Sequence, residues 1–335
     1  YMRRVGNNSI EFDDVYLISK AVVTGPKEQE GPIGNHFDYS YDDIHCDGNT
    51  WEQAEMNLLK KAYSIALSKA GLVEENIDVL IGGDLNNQIA VTSYAMRESF
   101  IPYLGTFAAC STFTENLILG SILIDSNLFR YVTCVTSSHN ATSERQFRYP
   151  TEYGGQKPLS MTFTTTAAGC AILGKKPSKI RITKGTIGKI IDVGLKDAQD
   201  MGRTMAPAAV VTMFNHFQNF NETIENYDLI VTGDLSKYGS DIFEKCCLER
   251  GINITKKHID AGITLYNQEK QDVYAGGSGC GCVTAVTLGY LINLLNQGLY
   301  KKILVLATGA LLNPIMTAQK ESIPCISHAI VLERS

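Results

Sequence analysis

The chain has 335 residues and a formal net charge of −5, and 44% of its residues are apolar while 19% are charged. Such a composition is typical of a globular protein with a real core, and it excludes a disordered chain or a coiled coil. The acidic balance argues against broad binding of nucleic acid, which needs a basic face, although a local basic pocket for a small anion is compatible with it. The longest apolar stretches span about ten residues, half of what a membrane-crossing helix needs, and no apolar signal-peptide core follows Tyr1. The sequence therefore predicts a soluble chain.

The chain contains an internal repeat. A helical pattern of apolar residues runs from Trp51 to a glycine stop at Gly71, and a β-rich apolar strand follows over residues 77–85. The same order returns in the second part of the chain, with a helical pattern over residues 206–220 and a strand over residues 227–235. Both strands end in Gly-Asp-Leu, so each one predicts a buried strand followed by a turn.

A second repeated pair follows the first. A helix opening at Cys110 leads into a strand at residues 131–136, and a helix from Gly281 leads into a strand at residues 302–308. Alternating helices and apolar strands favour parallel sheets covered by helices on both faces. We therefore predict an α/β fold of two similar halves, residues 1–175 and 176–335, packed in five layers of the order αβαβα. A chance similarity between two βα units of one sheet is the alternative.

The nine cysteines predict reduced thiols rather than a disulfide framework. Their number is odd, and several lie in apolar strand-like runs, where a cysteine acts as a small buried hydrophobe. Cys280 and Cys282 stand one residue apart, but no second pair or histidine pair accompanies them at zinc spacing. We predict neither a metal site nor a cofactor.

The run Phe107-Ala-Ala-Cys-Ser, with the helix and strand after it, resembles the nucleophile segment of thiolases and ketoacyl synthases. The resemblance is closer to one family, stage V sporulation protein AD of spore-forming bacteria, and it covers about residue 15 to the end. The motifs that carry it are residues 21–28, 31–34, 108–112, 136–142, 144–158, 275–280 and 321–329.

The resemblance implies a thiolase-like fold and a role in the machinery that moves dipicolinic acid across the spore inner membrane during sporulation and germination. It implies that the chain binds dipicolinic acid, with or without calcium, and works with membrane proteins of the same channel complex. The chain would then be peripherally associated with the spore inner membrane. Proteins of this fold pair through the strand before the nucleophile, here residues 103–107, so the resemblance also implies a homodimer.

The catalytic set of the related enzymes is incomplete in this chain. Acyl condensation needs a His, or a His and an Asn, besides the thiol, to move protons and to stabilise the thioester oxygen. By the resemblance, the histidine position falls on Gly233 and the asparagine position on Gly277. This predicts a non-catalytic binding protein. One alternative is an acyltransferase or condensing enzyme with Cys110 as acyl nucleophile and His139 or a displaced group as base. Another is an assembly component with a vestigial pocket.

A site for a flat dicarboxylate should offer cations or forked donors together with an aromatic or apolar wall. Cys110 precedes a helix, whose N-terminus favours a thiolate or a bound carboxylate, and His139 follows a strand at its carboxyl end, where such sheets bind ligands. Residues 145–157 interleave cations with aromatic rings and predict a loop. The alternatives are a turn histidine bonded to backbone and a purely structural loop. The predicted ligand-binding residues are Cys110, Ser111, His139, Asn140, Arg145, Arg148, Tyr149, Gly277 and Ser278.

Overall fold

The structure is a computed structural model that describes residues 2–148 and 157–335. The strands are β1 (Arg3–Val5), β2 (Ser9–Glu11), β3 (Tyr16–Thr24), β4 (Tyr39–Ser40), β5 (Val79–Gly83), β6 (Tyr103–Gly105), β7 (Tyr131–Ser138), β8 (Phe163–Thr164), β9 (Ala167–Gly174), β10 (Ile180–Thr186), β11 (Leu229–Thr232), β12 (His258–Asp260), β13 (Gly277–Ser278), β14 (Lys302–Ala310) and β15 (Cys325–Arg334).

The helices are α1 (Pro26–Gln29), α2 (Trp51–Ala70), α3 (Ala90–Ala95), α4 (Thr112–Asp125), α5 (Asn140–Phe147), α6 (Met201–Phe220), α7 (Ser236–Glu249), α8 (Ala261–Leu265), α9 (Cys280–Thr284), α10 (Ile292–Gln297) and α11 (Pro314–Ala318). A π-helical segment, Ala285–Leu291, joins α9 to α10. None of the helices in the described ranges is both long and apolar enough to cross a membrane.

Two groups of five strands repeat the same order and the same directions. The first group runs β3-β9-β7-β5-β6 and the second runs β10-β15-β14-β11-β12. In each group the first three strands pair antiparallel, whereas the last three pair parallel. The sheets are therefore mixed, and the predicted parallel pairing holds only for the last three strands of each group. The pairing of Arg181 with Tyr16 joins the two groups.

The helices complete five layers around these two groups. Helix α2 covers the outer face of the first group, and α6 with α7 covers the outer face of the second. Helix α4 and the helical run α9–α10 lie between the groups, where they contact strands of both. The largest apolar cluster fills this central layer, because a helix between two sheets must be apolar on all sides. The predicted αβαβα order of two related halves is confirmed.

Hydrogen bonding and backbone geometry at its two ends set the length of helix α2. Helix α2 begins after Thr50, whose hydroxyl accepts from the backbone N–H of Gln53, and it ends at Gly71 with a φ of 64°. Helix α6 begins five residues before its predicted start. The predicted boundary between the halves, at residue 175, falls between β9 and β10, and the division into two domains stays a prediction.

The segment over residues 145–157 is not a loop throughout. Helix α5 extends to Phe147, so Arg145 lies on a helix and Arg148 is the residue that ends it. The loop prediction is wrong for this part, because the Pro and Gly content that favoured a loop lies in residues 149–156, which are outside the described ranges.

Candidate functional site

Cys110 lies in a tight turn immediately before α4. Ala109, which precedes it, has a φ of 49°, and the hydroxyl of Thr112 both accepts from the N–H of Ala108 and donates to the carbonyl of Ala109. A Cβ at Gly309 in β14 would collide with the carbonyl oxygen of Ala108. The glycine therefore lets the second half approach this turn closely and fixes where Cys110 points.

The thiol of Cys110 borders a small cavity of about 30 Å³, which is room for about one water molecule. Both halves of the chain contribute to its wall. The lining residues are Leu85, Phe107, Ala109, Cys110, Ser143, Phe147, Arg148, Thr164, Met201, Ser278, Gly279, Ala310 and Leu312. The cavity thus lies beyond the carboxyl ends of β5 and β14, at the edge where such sheets bind ligands.

Burial controls the state of the Cys110 thiol. The residue is 7% exposed, and this burial, reinforced by the negative charge of Asp234, raises the pKa of the thiol well above its ordinary value. The backbone of Gly279 and the charge of Arg148 act in the opposite direction but are outweighed. Cys110 therefore carries a neutral thiol, and the expectation that the helix N-terminus favours a thiolate is not met.

Arg148 supplies a buried cation to the same cavity. Its Nη1 lies 2.7 Å from Oε1 of Glu144, and its Nη2 lies 3.4 Å from the hydroxyl of Thr162. Lys157 binds the other oxygen of Glu144 at 2.9 Å. The Nε of Arg148 is buried and has no hydrogen-bond partner within residues 2–148 and 157–335. The Nε of Arg148 is therefore a donor without an acceptor, and Glu144, the carboxylate that pairs with Arg148, also pairs with Lys157.

Ser278 lines the cavity, whereas the neighbouring Gly277 does not. They make up β13, which pairs with β8 in a separate two-stranded sheet. The Ser278 hydroxyl accepts from Thr162, which also contacts Arg148, and Ser278 lines the cavity. Gly277 lies one residue away, and its carbonyl accepts from the hydroxyl of Ser236. The structure therefore brings three predicted residues, Cys110, Arg148 and Ser278, around one cavity.

His139 and Asn140 do not reach the cavity wall. Nδ1 of His139 accepts from the N–H of Ala141 and caps α5, while its Nε2 lies 2.8 Å from the carbonyl of Ile44, to which it donates. Burial lowers the pKa of His139 to about 4, so the ring is neutral. Asn140 donates to the carbonyl of Thr164. Of the two interpretations of His139, this geometry is that of a turn histidine bonded to backbone.

The side chains of Ser111 and Arg145 do not line the cavity either. The Ser111 hydroxyl donates to the carbonyl of Ala307 and accepts from the N–H of His328, so it ties the start of α4 to β14 and β15. Arg145 is half exposed and forms an ion pair with Glu52. Tyr149 lies outside the described residues. Whether any of the predicted residues contacts a ligand stays a prediction.

The two glycines at the expected histidine and asparagine positions have no room for a side chain. A Cβ at Gly233 would come within 2.9 Å of Val283, and one at Gly277 within 2.7 Å of the ring of Tyr266 and 3.1 Å of the Cys282 sulfur. Contacts of that length force neighbouring atoms to move. A residue with a side chain at either position would therefore require its neighbours to shift.

Several cavity residues escaped the sequence reasoning. Met201 opens α6, Ser143 lies within α5 and Leu312 follows β14. No motif marks them, because an apolar residue that lines a cavity has the same sequence signal as one in the core. Only the end of β14, which repeats the end of β7 in the first half, could have directed attention to Ala310 and Leu312.

A larger open cleft adjoins the cavity. It has a volume of about 640 Å³ and shares Phe107, Phe147 and Leu312 with the cavity wall. Asparagine and glutamine line its outer part, where Gln88 and Ile89 both have positive φ, at 58° and 49°. The Cys110 cavity and this cleft are therefore neighbours, with these three side chains in the walls of both.

The two repeated aspartates differ in their surroundings. Asp84 accepts from the N–H of Asn86 and from both the N–H and hydroxyl of Thr92. Neither carboxylate oxygen of the buried Asp234 has a hydrogen-bond partner from nitrogen or oxygen in the described ranges, and burial raises its pKa well above the ordinary value, while the Cys282 thiol lowers it. Within residues 2–148 and 157–335, no cluster of three or more His, Cys, Asp and Glu side chains is arranged to hold a metal ion.

Comparison with known proteins places the chain among relatives of the same length. A solved structure of cerulenin-bound OleA from Xanthomonas campestris has a TM-score of 0.64 at 16% identity, covering 96% of this chain and 99% of that one. Another OleA structure from the same organism has a TM-score of 0.61 at 16% identity, covering 96% and 98%. At this identity the likeness shows the fold alone, and it confirms the predicted thiolase-like architecture.

The sequence relatives are closer. The stage V sporulation protein AD of Bacillus subtilis (strain 168) is 44% identical over 335 residues, which is 100% of this chain and 99% of that protein. The family described as stage V sporulation protein AD matches residues 6–333. Both findings support a role in sporulation. The predicted resemblance is confirmed, and the chain belongs to the stage V sporulation protein AD family.

Proposed function

We propose that this chain is a non-catalytic binding protein for dipicolinic acid, and that it serves the machinery that moves this acid across the spore inner membrane in sporulation and germination. The observation that carries the proposal is Arg148, a buried cation beside Cys110 whose Nε has no partner among the described residues. A carboxylate that enters the cavity can accept from this Nε, which removes the cost of a buried unsatisfied donor.

The charges around Arg148 suit an anionic ligand. Arg148 and Lys157 are two cations that share one carboxylate, Glu144, so this cluster has a surplus of one positive charge. One carboxylate of dipicolinic acid would neutralise that surplus in a site shielded from water, where such an interaction is strong. The second carboxylate would face the cleft, where calcium or solvent can reach it.

Binding requires the cavity to open. A pyridine ring with two carboxylates cannot fit a space of about 30 Å³. The adjoining cleft of about 640 Å³ is large enough, and Phe107, Phe147 and Leu312 line both spaces. We expect the acid to enter from the cleft while these side chains change rotamer, a common adjustment on binding.

Three further features support binding rather than catalysis. The Cys110 thiol is neutral and therefore a poor nucleophile. The described residues that line the cavity include no histidine. Gly233 and Gly277 have neighbours that leave no space for a base or an oxyanion donor. The opposing observation is the positive φ of Ala109 before Cys110, since strained turns often hold nucleophiles.

Titration calorimetry with dipicolinic acid, with and without calcium, tests the proposal. We expect saturable binding by the wild type and by Cys110→Ala, because the thiol only lines the wall. Arg148→Ala should weaken binding by about tenfold or more. Arg145→Ala is the matched control: the same helix carries it, but it faces outward on Glu52 and should leave the affinity unchanged.

Each result that contradicts the proposal would favour a different alternative. Absence of binding by the wild type would favour an assembly component with a vestigial pocket. Binding that is equal in the Arg148→Ala and Arg145→Ala variants would make the Arg148 segment structural. A stable thioester on Cys110 after incubation with acyl-CoA, detected by intact-protein mass spectrometry, would instead favour the acyltransferase.

We further propose a homodimer that docks on membrane proteins of the same spore complex. Strand β6 forms an edge of the first group. Leu104 on this strand is 48% exposed, and two phenylalanines that flank the strand in sequence are also exposed, Phe100 at 99% and Phe107 at 46%. Clustered exposed apolar side chains mark interaction surfaces.

A further inference from the structure

A second open cleft lies at the opposite edge of the first strand group from Cys110. It has a volume of about 570 Å³ and is formed by the start of β3, the end of α2, α10 and residues 178–180. The lining of this cleft includes Lys20 in the middle of β3. It shares no residue with the lining of the Cys110 cavity, so the two sites are separate.

Lysines dominate the charge of this cleft. Lys20, Lys69 and Lys179 line it together with one carboxylate, that of Asp38. Asp38 is already engaged, because one oxygen binds Lys69 at 2.8 Å and the other accepts from the N–H of Val22 at 2.9 Å. Three ammonium groups against one carboxylate leave a surplus of two positive charges in a protein that is acidic overall.

Lys20 is the unusual member of the set. Its side chain is half-buried, and no hydrogen bond or ion pair reaches its Nζ from any described residue. Burial lowers the pKa of Lys20, the nearby charge of Lys69 acts in the same direction, and Asp38 only partly opposes them. Since no described protein group binds this ammonium, a bound anion can pair with it, and such an anion would favour its charged form.

The remaining wall supplies neutral donors and an apolar floor. Asn35, Asn293 and Asn296 present amides, and Asn293 contacts Nδ1 of His36 at 3.2 Å. Leu17, Ile180 and Ile292 lie beneath them. No arginine lines the cleft among the described residues, so it lacks the planar fork that suits a carboxylate. Lysines act as point charges around a tetrahedral anion.

We propose that this cleft binds a phosphate group, as a phosphomonoester dianion, with Lys20 as its central contact. The two surplus positive charges match the two negative charges of the dianion, and the amides supply donors to its further oxygens. The phosphomonoester has two possible sources, a small soluble molecule or a lipid headgroup at a membrane surface. The proposal stands independently of dipicolinic acid, because the cleft shares no residue with the Cys110 cavity.

Calorimetric titration of the whole chain with glycerol 3-phosphate tests the soluble source. Flotation with phosphatidylcholine vesicles, with and without phosphatidic acid, tests the lipid source. We expect Lys20→Met, which keeps the apolar stem, to weaken whichever interaction is seen by about tenfold or more. Lys60→Met is the matched control, because Lys60 is an exposed lysine of α2 outside the cleft, and it should bind as the wild type does.

The outcomes separate the two sites. Saturable phosphate binding, or phosphatidic-acid-dependent flotation, that is lost in Lys20→Met and kept in Arg148→Ala would support the cleft. Loss in Arg148→Ala with retention in Lys20→Met would overturn it, since the anion would then bind at the Cys110 cavity. Absence of both interactions in the wild type would also overturn it.

Discussion

Burial sets the chemistry of the cysteine on which the candidate site is centred. In related enzymes a thiol before a helix acts as a nucleophile, and ionisation there is favoured by the helix N-terminus. At Cys110 the desolvation of the sulfur and the charge of Asp234 outweigh that contribution and raise the pKa of the thiol. The same position in the fold can therefore support catalysis or only line a pocket, depending on what surrounds the sulfur.

A reactivity measurement follows from this. In the native protein, Cys110 should react with iodoacetamide at least about tenfold more slowly than the partly exposed Cys246, because only the thiolate attacks and only an accessible sulfur is reached. Peptide mass spectrometry over time measures both rates. A faster reaction at Cys110 would indicate an ionised thiol and support the acyltransferase alternative.

Glu115 gives a pH-dependent prediction. Burial raises the pKa of this carboxyl from 4.5 to about 7, and its Oε2 has no hydrogen-bond partner in the described part of the chain. Between these values the folded protein binds more protons at Glu115 than the unfolded chain does, so the contribution of Glu115 to stability falls as the pH rises from about 4.5 to 7. We expect Glu115→Gln to reduce that fall by about 2 kcal/mol.

Urea unfolding at several pH values measures the effect. The matched control is Glu269→Gln, at an exposed glutamate, which should leave the pH profile unchanged. Identical profiles for the wild type and Glu115→Gln would show that Glu115 ionises normally in the folded protein.

At the scale of single residues, Cys110, Arg148 and Ser278, which the sequence pointed to separately, lie around one cavity. Cys110 was predicted from its place before a helix, Arg148 from a segment that interleaves cations with aromatic rings, and Ser278 from its neighbouring glycines; their contact with a ligand stays a prediction. The orientation of His139 was not predictable. Its position at the end of β7 suited a ligand contact, but its Nε2 donates a hydrogen bond to the carbonyl of Ile44, which is distant in sequence.

The central helical run and β9 pack closely where they cross. A Cβ at Gly169 would collide with Cγ2 of Thr284 in α9, and Thr284 is fixed by hydrogen bonds to Thr136 and to the carbonyl of Cys280. Because a β-branched side chain has few rotamers with which to yield, the strand needs glycine at this crossing.

Gly169→Ala should therefore destabilise the protein by about 2 kcal/mol through overpacking. Equilibrium urea unfolding measures the loss. Thr284→Ser keeps the hydroxyl and removes the colliding methyl, so in the Gly169→Ala background it should restore part of the stability. No recovery in the double variant would place the strain elsewhere.

The existence of the main elements was predictable, but their pairing was not. Helix α2 and the repeated strands β5 and β11 follow from periodicity and Gly-Asp turns. The antiparallel direction of β9 and β15 within otherwise parallel groups was not predicted, because a fully buried strand has the same apolar pattern in either direction. Helix α5 was missed in part, since its polar sequence has no apolar stripe.

For the whole molecule, the exposed apolar surface beside β6 predicts self-association. Sedimentation velocity at tens of micromolar should show a dimer for the wild type and a monomer for Leu104→Glu, because a charge would be buried at the interface. Leu299→Glu is the control, at a leucine that is 65% exposed and follows α10, and it should remain dimeric. A monomeric wild type would contradict the prediction.

The Cys110 cavity takes its wall from both halves of the chain. Cys110 and Arg148 come from the first, and Ser278, Ala310 and Met201 from the second. Neither half alone contains all of the lining residues, so a ligand bound there would contact both halves at once. Its binding free energy adds to the free energy of holding the halves together. Saturation of the site would then raise the temperature at which the halves separate, and loosening of their interface would release the ligand.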